Sequence, residues 1–509
     1  MNSPRLVNVL LAALVISTPL ASMAADQYWE YNYRGVDVLS SYSAKYAEDI
    51  ALKLHRLDLA ITKFLTIKPG IWRAPTSVYA VSRGTFQQVR SIKQEEMSEY
   101  LSTPFANTIL IDTSQTSGKW LFSAYYGYTG SILVSAFSYR YPDWFLRGLS
   151  ELFGASEIRG RDVTIGGVDQ DRASWLYQGF PIPVKTLLRI RANDPQLLDA
   201  QVQASYSAEC WLLVHLIMIE GRYRPQFMHY LELLDQGKEE SEAFANSFDV
   251  PYEALDKLFH QILSQGSVSS FTITVANDEQ NAPVATVLTA SQSVGRLALL
   301  GAQQGRDIDA AAKLVGDALR LDPEGEYALS AQATLQLRQQ GYPAALATAT
   351  KLCGLASLSA VGMGRCGQLF SMLTDAAARN KDAVGMDSAT LAARARDYYT
   401  RAIDADQDDV ASWSGLTSLV ASTRDMDAAA ALRPKVEKVQ LRYSYSGELA
   451  RSLSGLCATM NDVEAALQYA LVWQRHAMDP GSRAAAAAYV SRLVEEVQRR
   501  DITQPKSAP

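Results

Sequence analysis

Two short stretches decide how the first half of this chain is interpreted. They read Tyr126-Gly-Tyr-Thr-Gly130 and Tyr141-Pro-Asp-Trp-Phe-Leu-Arg-Gly-Leu-Ser-Glu151. The first lies in an apolar segment from about Trp120 to Phe137 that is long enough for a helix. In the second, Pro142 is suited to open a helix because its fixed φ is compatible with a first turn. We therefore predict two consecutive helices, one for each stretch.

The two stretches resemble the active-site frame of the gluzincin metallopeptidases, and closely that of the peptidase MA-like bacterial group. The family motifs read His-Glu-Tyr-Thr-His and Tyr-Pro-x-Trp-Phe-x-Glu-Gly-Leu-Ala-Glu. The positions that match are Tyr128, Thr129, Tyr141, Pro142, Trp144, Phe145, Gly148, Leu149 and Glu151. Later segments follow in family order, including the run from Tyr206 to Leu216. The resemblance implies an α+β gluzincin-like domain over residues 25–265.

The residues that would carry the zinc chemistry are missing from this frame. Tyr126 and Gly130 stand at the two His positions, Gly127 at the general-base position and Arg147 at the third-ligand position. A catalytic zinc site needs three protein ligands and an open water position. Glycine and arginine supply no ligand, and a guanidinium repels a dication. We therefore expect no metal, no cofactor and no peptidase activity.

Other residues of the frame are candidates to line the vacated cleft, namely Tyr128, Trp144, Glu151 and Tyr206. Two interpretations of Arg147 remain open. It forms an i, i+4 ion pair with Glu151 on the same helix, or it receives a carboxylate such as a peptide C-terminus. His215 lies in an almost wholly apolar helix and is predicted to be a hydrogen-bonded core residue rather than a ligand.

Charge and targeting signals bear on the compartment and on the partners. The 509 residues carry a net charge of −6, which gives no general attraction to nucleic acid. Residues 1–24 have the pattern of a cleaved signal peptide, and an N-terminal anchor is the alternative. No later stretch is long and apolar enough to span a bilayer. We predict an exported protein, periplasmic or secreted, without stable membrane insertion.

Four cysteines occur in the chain, at positions 210, 353, 366 and 457. Cys353 and Cys366 lie 13 residues apart and are the best candidates for a disulfide in an oxidising compartment. The alternative is that both are buried free thiols on helix faces.

The second half of the chain, residues 291–500, is Ala-rich and repetitive. Ala311 and Ala345 lie 34 residues apart, as do Ala395 and Ala429, which is the period of tetratricopeptide repeats. The pattern predicts an all-α solenoid whose first helices line a binding groove. Residues 266–290 are predicted to form a linker or a small hairpin, and residues 501–509 a disordered tail.

These features predict a non-catalytic pseudo-metallopeptidase that holds a polypeptide partner through its helical repeats. The alternative is a peptidase or other hydrolase with a displaced or partner-completed active site.

Overall fold

The structure, a computed structural model, describes most of the chain. The described residues are 27–67, 75–90, 98–102, 106–114, 119–136, 142–167, 170–178, 181–191, 194–265, 268–276, 282–305, 307–444, 446–477 and 480–503. The predicted signal peptide, Tyr141 and residues 504–509 lie outside them.

The first half combines two sheets with a set of helices. The strands are β1 (Tyr28–Tyr33), β2 (Val36–Ser40), β3 (Thr76–Val81), β4 (Ser98–Ser102), β5 (Asn107–Asp112), β6 (Glu157–Arg159), β7 (Asp162–Ile165), β8 (Phe271–Thr274) and β9 (Thr286–Leu288). The helices are α1 (Ala44–Phe64), α2 (Arg83–Arg90), α3 (Lys119–Ala136), α4 (Asp143–Gly154), α5 (Gln170–Gln178), α6 (Val184–Leu187), a 3-10 turn at Pro195–Leu198, α7 (Ala200–Met218), α8 (Arg224–Asp235), α9 (Glu240–Ser247) and α10 (Tyr252–Gln265). An α+β first region is therefore present.

The larger sheet has the strand order β4-β5-β3-β2-β1-β9. Strands β2, β3 and β5 run parallel, whereas β1, β9 and β4 pair antiparallel with their neighbours. Along β5, Ile109 and Ile111 enter the core beneath α1 and α3, while Leu110 enters a separate core on the opposite face. A parallel strand that is buried on both faces is continuously apolar, as Ile109-Leu-Ile111 is.

The second half consists of consecutive helices. They are α11 (Ala290–Gln304), α12 (Ile308–Leu321), α13 (Glu326–Arg338), α14 (Tyr342–Cys353), α15 (Ala360–Arg379), α16 (Lys381–Val384), α17 (Ser388–Ala405), α18 (Val410–Thr423), α19 (Met426–Arg442), α20 (Gly447–Thr459), α21 (Val463–His476) and α22 (Pro480–Thr503). The second helix of several hairpins starts at an aspartate whose carboxylate accepts a backbone N–H two or three residues on. These caps are Asp307, Asp387, Asp425 and Asp462.

The predicted repeat positions are equivalent in the structure. Ala311, Ala345, Ala395 and Ala429 lie in the second helices α12, α14, α17 and α19, and each is at most 2% exposed. The all-α stack of helix hairpins is thus confirmed. The irregular spacing of 50 residues arises because α15 has 20 residues and the short helix α16 is inserted after it.

Aromatic packing between helices of the stack depends on glycine. A Cβ on Gly367 of α15 or on Gly415 of α18 would lie about 2.5 Å from ring atoms of Tyr399. The ring is therefore held between two helix backbones, with Ala395 and Ala402 buried beside it. The two small alanines and the two glycines thus allow the helices to pack closely around the tyrosine ring.

The two halves share one hydrophobic core. Leu297 and Leu300 of α11 pack with Leu39, Val81 and Leu110 of the sheet, on the face opposite α1 and α3. The first helix hairpin thus packs on the second face of the larger sheet. It is part of the same domain core and not a separate domain joined by a flexible linker.

Residues 266–290 differ from the predicted linker or small hairpin. Strand β8 pairs with β7 in the smaller sheet, and β9 pairs with β1 in the larger one. Strands β8 and β9 therefore belong to different sheets. Each strand adds backbone hydrogen bonds to the first region, so the chain crosses from one half to the other within the fold.

Candidate functional site

The positions at which the resemblance would place metal ligands lie on two helices that contact each other. Tyr126, Gly127 and Gly130 lie on α3, and Arg147 lies on α4. A Cβ on Gly130 would approach Ser150 Oγ of α4 to 3.7 Å, which is ordinary van der Waals contact. Tyr126 is half-buried and stacks on Phe122, with ring centroids 6.1 Å apart. The helix pair that the two stretches predict is therefore formed.

Arg147 directs its guanidinium towards α7. Its Nη1 donates a hydrogen bond to Ser207 Oγ at 2.9 Å. The guanidinium carbon lies 5.6 Å from the centre of the Tyr206 ring, within the range of a cation–π interaction. The side chain is half-buried. Arg147 is thus held between a neutral hydroxyl and an aromatic face.

The predicted interaction with Glu151 is present as an electrostatic one. Burial tends to lower the pKa of Arg147, but Tyr126, Cys210, Glu151 and Tyr206 together raise it above its ordinary value. Among these groups Glu151 is the carboxylate, and it is only 2% exposed. The sequence does not predict the hydrogen bond to Ser207, although Ser207 directly follows Tyr206 in a segment that resembles the family.

Close packing of α4 on α7 fixes the position of Arg147. A Cβ on Gly148 would lie 2.3 Å from the backbone oxygen of Cys210 and 2.5 Å from a methyl group of Val214. Only glycine fits there, because the obstructing carbonyl belongs to a helix backbone. The glycine of the second stretch therefore sets the distance between Arg147 and Ser207.

The other predicted cleft residues are largely part of the core. Trp144 is 2% exposed and packs edge-on against Phe227 at a centroid distance of 5.8 Å. Tyr128 is 5% exposed and belongs to the same core. The expectation that Trp144 and Tyr128 line an open cleft is therefore wrong, since both rings fill the interior. Tyr206, also buried, is the predicted cleft residue whose ring contacts Arg147.

The residues at this position do not fit a zinc ion. Two glycines and a cationic side chain replace the donors that the resemblance implies, and zinc is held by imidazole, thiolate or carboxylate groups. Within the described part of the chain, no group of three or more His, Cys, Asp or Glu side chains is placed to hold a metal ion.

Two ionisable side chains of α7 have shifted pKa values because they are buried. Burial raises the pKa of the Cys210 thiol well above its ordinary value, and burial raises the pKa of Glu209 to about 8. The thiolate is the nucleophilic form of cysteine, so Cys210 is poorly suited to covalent catalysis. Glu209 accepts a hydrogen bond from the Ile182 backbone N–H at 2.7 Å and is engaged in positioning that loop.

His215 is a buried core residue. Its Nε2 lies 2.8 Å from the backbone oxygen of Ser269, and burial lowers the pKa of its imidazole. Because a carbonyl only accepts, Nε2 is the protonated nitrogen. The prediction of a hydrogen-bonded core histidine is confirmed.

A shallow pocket of about 240 Å³ lies beside Ile190, a residue that contacts Tyr206. The Tyr206 hydroxyl donates to the backbone oxygen of Ile190 at 3.3 Å, and Ile190 forms part of the pocket wall. The lining residues are Lys185, Thr186, Arg189, Ile190, Asp194 and Gln196. Lys185 and Arg189 are exposed, and Arg189 Nε lies 3.7 Å from a carboxylate oxygen of Glu240.

The C-terminal helix reaches the same neighbourhood. Arg483 of α22 donates to Asp143 Oδ1 at 3.0 Å, and both side chains are mostly buried, at 17% and 13% exposure. Asp143 is the first residue of α4, one turn before Arg147. No sequence pattern indicates this contact, because 340 residues separate the partners.

The disulfide prediction is confirmed. Cys353 and Cys366 are bonded, with Cα atoms 5.8 Å apart, and the bond joins the end of α14 to α15. Cys210 and Cys457 are buried free thiols. The cross-link thus lies inside the irregular repeat unit.

No family model matches the chain, and no curated protein matches it. Similar solved structures include TTC0263, a thermophilic TPR protein of Thermus thermophilus, with 18% identity and a TM-score of 0.32 over 39% of this chain and 97% of that chain. Pseudomonas aeruginosa pilF has 15% identity and a TM-score of 0.31, over 43% and 93% of the chains. YrrB, a TPR protein with an unusual peptide-binding site, has 15% identity and a TM-score of 0.26, over 38% and 91%. At such TM-scores the repeat assignment rests on this chain's own helices.

None of the described helices combines the length and the apolar character that a bilayer-spanning segment requires.

Proposed function

We propose that this chain is an exported, non-catalytic relative of the peptidase MA-like proteins that holds a polypeptide partner through its helical repeats. One observation carries the non-catalytic part of the proposal. Arg147 stands where the resemblance requires the third zinc ligand, and it is hydrogen-bonded to Ser207 rather than free to move away. A fixed cation at that position disfavours a dication.

The repeat half supports the binding part of the proposal. The first helices of stacked helix hairpins form an extended surface in solenoid proteins. On α15 that surface includes Val361 and Met372, which are 59% and 45% exposed, with the exposed Gln368 between them. Apolar side chains that remain exposed on one helix face are suited to contact a polypeptide.

The disulfide supports export. Disulfides persist in oxidising compartments such as the periplasm and are rare in the reducing cytosol. Together with the signal-peptide pattern of residues 1–24, the Cys353–Cys366 bond favours a periplasmic or secreted location. The compartment is measured by fractionation of cells that produce the full chain.

Zinc content is the first test. The mature protein, residues 25–509, is dialysed against zinc-containing buffer and then against metal-free buffer, and its zinc is measured. We expect less than about a tenth of an equivalent, because three protein ligands are required. A full equivalent, or hydrolysis of a peptide substrate, would place the hydrolase alternative first.

A restored variant is the matched control for that measurement. It carries Tyr126→His, Gly127→Glu, Gly130→His and Arg147→Glu, the residues of the family motif. If the frame is that of a gluzincin, this variant should bind about one equivalent of zinc. A variant that folds, as judged by circular dichroism, yet binds no zinc would refute the gluzincin resemblance.

Site-specific photocrosslinking tests the binding function. A photoreactive residue is placed at Gln368 of α15 or Ser418 of α18, both exposed on first helices, and the protein is irradiated in cells. Control positions are Asp397 of α17 and Lys438 of α19, which are exposed on second helices. We expect a discrete crosslinked polypeptide from the first-helix positions only. Equal crosslinking from both faces, or from neither, would count against the proposed groove.

A further inference from the structure

We propose that Arg147 is the receptor for a carboxylate of the bound polypeptide. This inference rests on the proposed function and assigns a ligand chemistry to the vacated site. Nothing in the peptidase chemistry of the family requires an arginine here, because the position belongs to a metal ligand. The reason for the assignment is the way in which the cation is held.

The hydrogen bond of Arg147 does not itself neutralise its charge. Nη1 donates to Ser207 Oγ, which is neutral. The nearby carboxylate, Glu151, follows four residues later on the same helix and acts on Arg147 through its charge. The guanidinium carries five N–H donors, so a single bond to a hydroxyl uses one of them.

Two other partly buried arginines of this structure are bound differently. Arg296 lies within 3.2 Å of carboxylate oxygens of both Glu30 and Asp37. Arg433 lies 2.8 Å from carboxylate oxygens of both Glu437 and Asp462. Each therefore bridges two acidic residues. The hydrogen-bond partner of Arg147 is a neutral serine. The guanidinium therefore keeps further N–H donors with which it can bind an anion.

The surroundings of Arg147 suit an anion. Gly130 of α3 places no side chain towards α4, where a Cβ would lie 3.7 Å from Ser150 Oγ, and the guanidinium carbon lies 5.6 Å from the centre of the Tyr206 ring. A planar guanidinium binds a carboxylate through two parallel hydrogen bonds, which a lysine does not reproduce. The Tyr206 ring and Ser207 therefore orient the guanidinium of Arg147 before a ligand binds.

One of the two acids on α4 near Arg147 is paired with a cation from another helix. Asp143 lies one turn before Arg147 and would repel a carboxylate if it were unpaired. Its Oδ1 instead accepts from Arg483 of α22 at 3.0 Å. Asp143 is thus neutralised by a cation from outside α4, whereas Glu151 interacts with Arg147 itself.

Peptide pools with defined carboxylates test the proposal. The probes are three fluorescein-labelled mixed-sequence decapeptide pools. The first has no Asp or Glu and a free C-terminus, the second is the same pool with an amidated C-terminus, and the third is amidated with one central Glu. Binding to the mature protein is measured by fluorescence polarisation. We expect at least one carboxylate-bearing pool to bind roughly tenfold tighter than the pool without one, as for a charge-assisted bidentate pair.

The comparison among pools identifies the source of the carboxylate. Preference for the first pool indicates a chain terminus, and preference for the third indicates an acidic side chain. Arg147→Gln should remove the preference, and Arg147→Lys should restore only part of it because the fork is lost. Arg159→Gln is the matched control, since Arg159 is an exposed arginine of the same region that pairs with Glu157.

A built-in carboxylate provides a second test. Ser207→Asp places an acid beside Arg147, where it should pair with the guanidinium and compete with the ligand. If Arg147 binds the ligand, the Ser207→Asp variant should lose its preference for the carboxylate-bearing pools. If Arg147 is only structural, peptide binding by the variant should match that of the wild type. The thermal melting temperature, measured alongside, shows that the fold is intact.

Two results would overturn the proposal. Either all three pools bind the wild type equally, or Arg147→Gln and Ser207→Asp retain the preference. Equal binding of all pools would leave the repeat scaffold standing, because peptides would still be bound without regard to their carboxylates. Zinc binding by the wild type would instead refute the non-catalytic assignment, so the two failures are distinguishable.

Discussion

Arg147 and Arg296 are both half-buried arginines on helices, yet their environments differ. Arg296 lies on α11 at the junction of the two halves, where it bridges Glu30 of β1 and Asp37 of β2. Its guanidinium also lies 5.1 Å from the centre of the Tyr327 ring. Arg147 has a similar aromatic support in Tyr206, but its hydrogen bond goes to the neutral Ser207.

The difference indicates two roles for one residue type. A cation that bridges two partly buried carboxylates is costly to remove, because both acids then lose their counter-charge. Removing a cation that is hydrogen-bonded to a hydroxyl should reduce the stability of the folded protein less. Such a cation can also contribute more to the binding of an anionic ligand. The contrast predicts that stability depends on the junction and that binding depends on the vacated site.

The largest expected effect comes from removing the junction altogether. A chain of residues 25–265 lacks β9 and the helices that cover one face of the larger sheet. That face presents Leu39, Tyr79, Val81 and Leu110, which are packed against α11–α13 in the full chain. We expect a protein that aggregates or binds the dye ANS and unfolds without cooperativity.

A longer truncation is the control for that experiment. Residues 25–444 retain α11–α19 and therefore the cover over the sheet. This chain should show a cooperative thermal transition by circular dichroism. If residues 25–265 unfold just as cooperatively, the shared core is not required and the two halves are independent domains.

A smaller effect than that of the truncation is expected for Arg296→Gln. It leaves Glu30 and Asp37 without their cation, while their side chains are only 25% and 29% exposed. Loss of one partner of a fully buried pair costs about 3–5 kcal/mol, and partial exposure here lowers the expected loss to about 2 kcal/mol. Chemical denaturation measures it. Adding Glu30→Gln and Asp37→Asn should recover part of the loss, since the uncompensated acids are then removed.

The pH dependence of stability isolates Asp37. Burial, only partly offset by Arg296, raises the pKa of Asp37 to about 6 from its ordinary value of 3.8. The folded protein therefore binds the Asp37 proton more tightly than the unfolded chain does. This contribution to stability is complete below pH 4 and is lost as pH rises through 6.

Asp37→Asn should lack that titration. Relative to the wild type, the variant should gain stability between pH 5 and pH 7.5, by up to about 2–3 kcal/mol from a shift of this size. Denaturation curves of both proteins across this range provide the comparison. A difference that is constant with pH would show that Asp37 does not titrate there, and the junction would then lack this acid-sensitive group.

Much of the first region follows from local sequence signals. The apolar spacing of Ala44–Thr62 predicts the helix that forms at Ala44–Phe64, and the β-rich Ala106–Asp112 predicts β5. Pro142 is the N-cap of α4, as its fixed φ suggests. The 34-residue spacing places the second helices of the repeats because each hairpin repeats one packing unit.

The remaining features depend on contacts between distant residues. Strands β8 and β9 are too short to show which sheet they join, and the answer comes from partners more than 100 residues away. The packing of α11 on the larger sheet likewise cannot be predicted from the local sequence. The motif position of Trp144 predicts a cleft residue, whereas its large apolar ring fills the core beside Phe227.

The smallest effect on stability is expected at the vacated site itself. Arg147→Gln replaces a cation whose hydrogen-bond partner is neutral, and the amide of glutamine can still reach Ser207 as a donor. A hydrogen bond to a charged group contributes about 1.5–3 kcal/mol, and because glutamine keeps part of this bond we expect a loss of about 1 kcal/mol. Denaturation under the conditions used for Arg296→Gln makes the two values comparable. If Arg147→Gln destabilises the protein as much as Arg296→Gln does, Arg147 is a structural residue and the contrast between the two arginines fails. A small loss of stability combined with a lost preference for carboxylate peptides would place the function of Arg147 in binding.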